Sequence, residues 1–383
     1  MIRAYSTFTT EIDEVEEALD ELLDRPFFDR LSTNSVGILY THYDFVDTGV
    51  VHALCERLPF DVVGMTAMAN QSEHGYGRYR LGLTVLTGDD VAFSTAATPS
   101  LTAENLNGEI GAAYARARAP LPEEPKFIIG FFPYLDDVSG ADVLDSFDAL
   151  AGGLPIWGNV SSDMDMSYKH CRTIRNGVAD RCSLAMILVQ GDVEPEFIVT
   201  NITKNGIRES RAVITDSEGC LLRAINDVPV RDYMSGVGIE LHSGSATTVP
   251  LLVNYGDGSP SAALAIYALN DDGSILTGGR VPRGATVAIG EIDREDIMET
   301  AGAALDRVMG AGKKDALLMA SCVTRYFMLA PDQSGEMAYV ERSIAGKLPF
   351  SFACAGGEIC PVRAGDGRYC NRYHNYSFSA CVL

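Results

Sequence analysis

Residues 316–383 read ALLMASCVTRYFMLAPDQSGEMAYVERSIAGKLPFSFACAGGEICPVRAGDGRYCNRYHNYSFSACVL. An apolar run ends at Ser321-Cys322, and Arg325 follows. A helix-like segment leads to Leu348-Pro349-Phe350 and a second apolar run, which ends in Gly356-Gly357-Glu358-Ile359-Cys360-Pro361. A polar excursion then reaches Tyr373-His374-Asn375 before a closing strand, Tyr376 to Val382. Polar residues therefore fall at the ends of apolar strands, where α/β sheets place their sites.

The same order of elements occurs twice earlier in the chain. One copy has a strand at Val36 to Tyr40, a polar loop from His42 to Asp47 and a helix near Thr48 to Arg57. Leu58-Pro59-Phe60 then precedes a strand at Val62 to Thr66, a small and polar tract, and a strand at Tyr79 to Leu86. The next has a strand at Phe127 to Phe132, a loop around Asp136-Asp137 and a helix near Gly140 to Leu150. Leu154-Pro155-Ile156 then leads into Trp157-Gly158-Asn159-Val160-Ser161-Ser162-Asp163 and two closing strands. A proline suits the first residue of a strand, which needs no ladder donor. Three β-α-β-β units predict an α/β fold, with mixed sheets flanked by helices.

Before the first unit, IRAYST reads as a strand and Glu11 to Asp24 as a helix capped by Thr9 or Thr10. Ala119 to Lys126 and Thr95 to Ser100 read as linkers. Between the second and third units, strands at Glu196 to Ile214, Cys220 to Ile225, Pro250 to Tyr255, Ser261 to Leu269, Ser274 to Leu276 and Ala285 to Ile289 alternate with Gly, Asp and Pro punctuation. A short helix starts at Val230, and a longer one carries Ile297, Ala301, Leu305 and Val308. The expected domain boundary lies near Ser217 to Cys220, giving 1–218 and 219–383.

The chain has 383 residues, with 30 Lys and Arg against 52 Asp and Glu, a net charge of −22. Nucleic acid is excluded as a partner because neutralising phosphates needs basic clusters, and there are none. No apolar run approaches the length of a membrane span. Nine cysteines with no CxxC pair, after a Met1-Ile2-Arg3 start with no signal peptide, read as reduced cytoplasmic thiols. Cys354, Cys360, Cys370 and His374 are spaced by six, ten and four residues and match no zinc knuckle. No metal and no cofactor is expected. P-loop, GxSxG, HExxH and strand-following GxGxxG motifs are all missing.

Ser321-Cys322 with Arg325, then Glu336, Gly357-Glu358-Ile359 with Pro361, and His374-Asn375 resemble the C-terminal signature of the FIST family. Gly64-Met65-Thr66-Ala67 and the Gly158-Asn159 tract before Asp163 resemble its N-terminal domain. The resemblance covers nearly the whole chain. It implies a sensory module of bacterial signal transduction that binds a small molecule such as an amino acid. No output segment is expected after Leu383, so an output is expected from a separate signalling protein, or there is none. The cysteine-bearing tract from Cys360 to Cys370 departs from the family pattern and leaves the local shape of the site open.

The residues suggest a ligand site made of Arg325, Glu358, His374, Asn375, Ser321, Cys322, Glu336, Gly357, Asn159 and Thr66. Arg325 has the planar fork that matches a carboxylate, and Glu358 can hold an ammonium, a pair suited to the two ends of an amino acid. The same fork equally suits an internal ion pair with Glu336 or Glu358. His374 and Asn375 supply donors and acceptors, and either also suits a structural role. Thr66 and Asn159 hold corresponding strand ends and also read as turn residues. One alternative is a Cys-His hydrolase or transferase with Cys322 as nucleophile and His374 as base. The other is a ligand-free interaction module.

Overall fold

The computed structural model describes residues 2–165, 167–203, 206–242, 247–312 and 315–383. The first unit begins with β1 (Arg3–Thr9) and α1 (Val15–Leu23). It continues through β2 (Ser35–Thr41), α2 (Asp44–Asp47), α3 (Val50–Arg57), β3 (Val62–Thr66), β4 (Asn70–Ser72), β5 (Gly75–Gly77) and β6 (Leu81–Thr87). The second unit contains β7 (Val91–Ala97), α4 (Leu106–Arg118), β8 (Phe127–Phe132), α5 (Gly140–Ala151), β9 (Ile156–Val160), β10 (Thr173–Arg175), β11 (Val178–Asp180) and β12 (Ala185–Gly191).

The third unit starts much earlier than its sequence signature, at β13 (Glu196–Thr200), and is then interrupted. The interruption holds β14 (Ile207–Glu218), β15 (Leu221–Ile225), β16 (Val228–Pro229), α6 (Val230–Gly236), β17 (Thr247–Asn254), β18 (Ala262–Leu269), β19 (Ile275–Thr277) and β20 (Thr286–Gly290). The unit resumes with α7 (Arg294–Gly310), β21 (Leu317–Cys322), α8 (Val323–Met328), α9 (Gly335–Ile344) and β22 (Phe350–Ala355). It closes with β23 (Glu358–Arg363), β24 (Tyr369–His374) and β25 (Phe378–Val382).

Three six-stranded sheets share one order: β1-β6-β2-β3-β10-β11, β7-β12-β8-β9-β23-β24 and β13-β25-β21-β22-β4-β5. Each unit supplies four strands to its own sheet and sends its hairpin to a neighbour's. Within each sheet the two strands joined by a helix are parallel, β2 with β3, β8 with β9 and β21 with β22, and the returning strand is antiparallel. The strand exchange runs in a cycle, so the three units form one pseudo-threefold framework. The interruption forms a separate seven-stranded sheet, β14-β20-β17-β18-β19-β15-β16.

The cycle is closed by three equivalent backbone hydrogen bonds beyond the ends of β3, β9 and β22. Met68 N donates to Cys354 O at 3.3 Å, Ser162 N to Thr66 O at 3.1 Å, and Gly356 N to Val160 O at 2.8 Å. The Ser162 hydroxyl reinforces this hub, accepting from Met68 N and donating to Cys354 O. Inside the framework, Ile38, Tyr40, Met65, Phe131, Trp157, Leu318 and Ala353 share one buried cluster drawn from all three units. Each sheet's other face is buried beneath its own helices.

Several expectations need correction. Glu14, not Thr9 or Thr10, holds the N-cap of α1, and the Thr9 hydroxyl instead accepts from Glu11 N and donates to Glu21. Residues Thr95 to Ala97 belong to β7, not a linker, because they pair in register with β12. The expected strand from Glu196 to Ile214 divides into β13 and β14, with residues 204–205 outside those described. Pro59 lies two positions out of register with Pro155 and Pro349. Those two carbonyls accept from Ile128 N and Leu317 N, while Asp61 O does so in the first unit, from Gly37 N.

Candidate functional site

Side chains alternate along β21, so Ser321 faces the helical layer while Cys322 faces the interior. Arg325 follows in α8 and is fully buried. Its Nε donates to Glu336 Oε1 at 3.1 Å, and its Nη2 bonds the same oxygen and Ile297 O. Nη1 donates to Thr300 Oγ1 and Tyr376 O. All five N–H donors thus have protein acceptors, and the second Glu336 oxygen accepts from the Ser321 hydroxyl. Arg325, Glu336 and Ser321 make an internal ion-pair network that binds α8 and α9 to α7 and to the turn before β25.

A second polar group lies on the interior face. Antiparallel register sets Asn159 of β9 opposite Glu358 of β23, and Glu358 opposite His374 of β24. Directly opposed residues project on one face, so the three form a row across three strands. Asn159 Nδ2 donates to the Tyr40 hydroxyl at 2.7 Å, and Ser377 Oγ donates to Glu358 Oε2 at 2.6 Å. Glu358 Oε1, Asn159 Oδ1 and both His374 nitrogens have no hydrogen-bond partner among the described residues. Burial raises the Glu358 carboxyl well above its usual range. Burial also lowers His374 to about 4, so its ring is neutral.

Those electrostatics disfavour the Cys-His alternative. Burial, then the Glu358 carboxylate, push the Cys322 thiol up to about 12. A nucleophilic thiol needs the opposite shift and a base able to hold a proton.

Asn375 joins the framework to the inserted sheet. Its Oδ1 accepts from Ala265 N at 3.0 Å, its Nδ2 donates to the Tyr267 hydroxyl at 3.2 Å, and its backbone N donates to Ala263 O. Thr66 Oγ1 accepts from Arg172 N, while its carbonyl belongs to the hub. Gly357 has no room for a side chain, since a Cβ there would lie 2.5 Å from the Tyr373 hydroxyl.

None of the ten residues expected from the sequence is among those of the cleft beside the inserted sheet. A cavity of about 580 Å³ opens between the second unit and the inserted sheet. Its framework wall is the loop after β8, with Tyr134 and Asp136 to Ser139, together with the start of α5. The opposite wall comes from Glu218 to Leu221, Tyr267, Leu276, Thr277 and Arg280. Tyr373 lines its floor, packing on Gly140 on one side and Gly357 on the other. Two contacts span the cleft. Arg280 pairs with Asp142 at 2.7 Å and Asp145 at 2.6 Å, and the Cys220 thiol donates to Ser139 Oγ at 3.4 Å.

The polar loop around Asp136-Asp137 carried a sequence signal for this cleft, because it follows a strand in the repeat. Tyr267, Leu276 and Arg280 carried none, since they sit in a stretch that resembles neither other copy.

The fold and cleft define a repeat-built α/β framework with an inserted β-sheet packed across one strand-end surface. Residues 35–228 match the FIST N domain and residues 230–361 the FIST C domain. The chain belongs to the FIST family, whose domains are sensory domains of signal transduction. No curated protein matches it. Among solved structures, a cyanuric acid hydrolase from A. caulinodans is 9% identical with a TM-score of 0.37, covering 100% of this chain and 99% of that one. A second cyanuric acid hydrolase is 10% identical with a TM-score of 0.35, at the same coverage. No helix among the described residues is long and apolar enough to cross a membrane.

Proposed function

We propose that this chain senses a small molecule bound in the cleft between its second repeat unit and its inserted sheet. The observation that carries the reading is the cleft's construction, with the framework wall and residues 218–221 from the FIST N region and Tyr267, Leu276, Thr277 and Arg280 from the FIST C region. A ligand there touches both, so its binding energy biases how the two pack, which is what a sensor needs. The Asn159–Glu358–His374 row and Asn375 act behind Tyr373, fixing the floor against which the ligand rests. Arg325, Ser321 and Glu336 brace α7, α8 and α9 against the turn before β25, and Cys322, Gly357 and Thr66 stand at strand ends near the hub. The signal passes to a separate signalling protein in the cytoplasm.

The test uses a variant that fills the cleft without touching the core. Leu276 lines the cleft and is 39% exposed. Leu276→Trp is expected to fold normally and to lose the thermal stabilisation that a metabolite panel gives the native protein. A native protein stabilised by no compound contradicts the reading. Equal stabilisation of both proteins does so too.

A further inference from the structure

We propose that the ligand of this cleft is a small organic cation, a primary or quaternary amine. The inference rests on the cleft reading above and deepens it. Four carboxylates line the cavity: Asp136, Asp137, Asp142 and Glu218. Arg280 is the cation among the lining residues, and two carboxylates already share it, Asp142 and Asp145. Asp136 is matched by Arg181 and Glu218 by Arg223. Asp137 has no ion-pair partner among the described residues. The cleft and its mouth therefore carry two negative charges beyond those the guanidinium groups balance.

An anionic ligand would have to take Arg280 from two carboxylates held at 2.6 and 2.7 Å, and would meet the remaining negative charge. A cation meets neither obstacle. It also finds aromatic rings on the walls and floor, at Tyr134, Tyr267 and Tyr373. Ring faces attract ammonium groups, quaternary ones included. Tyr134 is held in place by stacking on Tyr168 at 3.9 Å. Burial pushes the Tyr267 phenol up to about 12, so it stays neutral.

Calorimetric titration of the intact protein with putrescine, choline, butanediol and succinate tests the assignment, because it varies charge at similar size. The two amines are expected to bind, more weakly as salt rises, and the diol and diacid are not. Asp137→Asn, an exposed substitution, is expected to weaken amine binding about tenfold. Binding of the diol or diacid with no binding of either amine overturns the charge class and leaves the cleft reading standing. Amine affinity unchanged in Asp137→Asn overturns it as well. Amine binding that survives Leu276→Trp overturns both.

Discussion

Arg325 shows how far a single residue type can be read. Its fork geometry was legible in the sequence, but the choice between a ligand carboxylate and Glu336 depends on a helix packed eleven residues later. Within the fold, removing the arginine strands a buried carboxylate. Arg325→Ala is expected to lower stability by about 3–5 kcal/mol, as breaking a buried pair does. Urea unfolding checks this, and a loss under about 1 kcal/mol would contradict the network described here. Glu358 and His374 give a sharper residue-scale signature, because burial shifts them in opposite senses. Glu358 has a folded pKa above its ordinary 4.5. Its contribution is therefore complete below 4.5 and is lost as pH rises toward the folded value. His374 has its folded pKa lowered from 6.5 to about 4. Its contribution is complete above 6.5 and is lost as pH falls toward 4. Between about pH 4.5 and 6.5 the two slopes oppose. Relative to the native protein, Glu358→Gln is expected to gain stability as pH rises through that window. His374→Gln is expected to gain as pH falls. Denaturant midpoints at the two ends check the signs, and variants that track the native protein at both would contradict the burial assigned to these groups. Neither shift was legible in the sequence, where Glu358 and His374 sit sixteen positions apart with nothing to mark them as opposed across a ladder.

At the scale of elements, the β-α-β-β repeat was legible because each copy keeps its own apolar runs and turns. Its limits were not. The leading strand and helix of each unit, β1 with α1 and β7 with α4, are ordinary amphipathic segments. In the third unit their counterparts, β13 and α7, stand on either side of the inserted sheet, so no contiguous stretch of sequence shows the full unit. The Leu-Pro-apolar mark led to the right strands with the first copy out of register, because Asp61 supplies by its carbonyl what Pro155 and Pro349 supply by theirs. The hub was invisible for a related reason. It is made by backbone groups of three segments separated by about a hundred residues or more, and only Ser162 contributes a side chain to it. Ser162→Ala removes one bond to Met68 N and one to Cys354 O, leaving that amide with a weaker partner. A loss of about 1–3 kcal/mol is expected, read from the denaturant midpoint with an unchanged slope. A changed slope with no midpoint shift would mean that the hydroxyl does not hold the units together.

The whole molecule joins a cyclic framework, rigid by strand exchange, to an inserted sheet that touches it along one side. Asn375, the Cys220–Ser139 contact, the Arg372–Asp257 ion pair and the Arg280 contacts with Asp142 and Asp145 are among the links between them. The sequence marked the framework's strand ends as polar and so pointed at the layer directly beneath the cleft. It marked one wall of the cleft, through the Asp136-Asp137 loop, and not the other, which folds from a stretch with no counterpart in the repeat. The central claim is that a ligand bridges these two parts. A ligand at a hundredfold excess over its Kd adds about 2.7 kcal/mol to the stability of the native state. For a chain of this size that is a rise of a few degrees in Tm. The most direct measurement is the Tm of the native protein and of Leu276→Trp across one panel of amines, diols and diacids. The account predicts a rise for at least one amine in the native protein and none in the variant. A rise of the same size in both would contradict it.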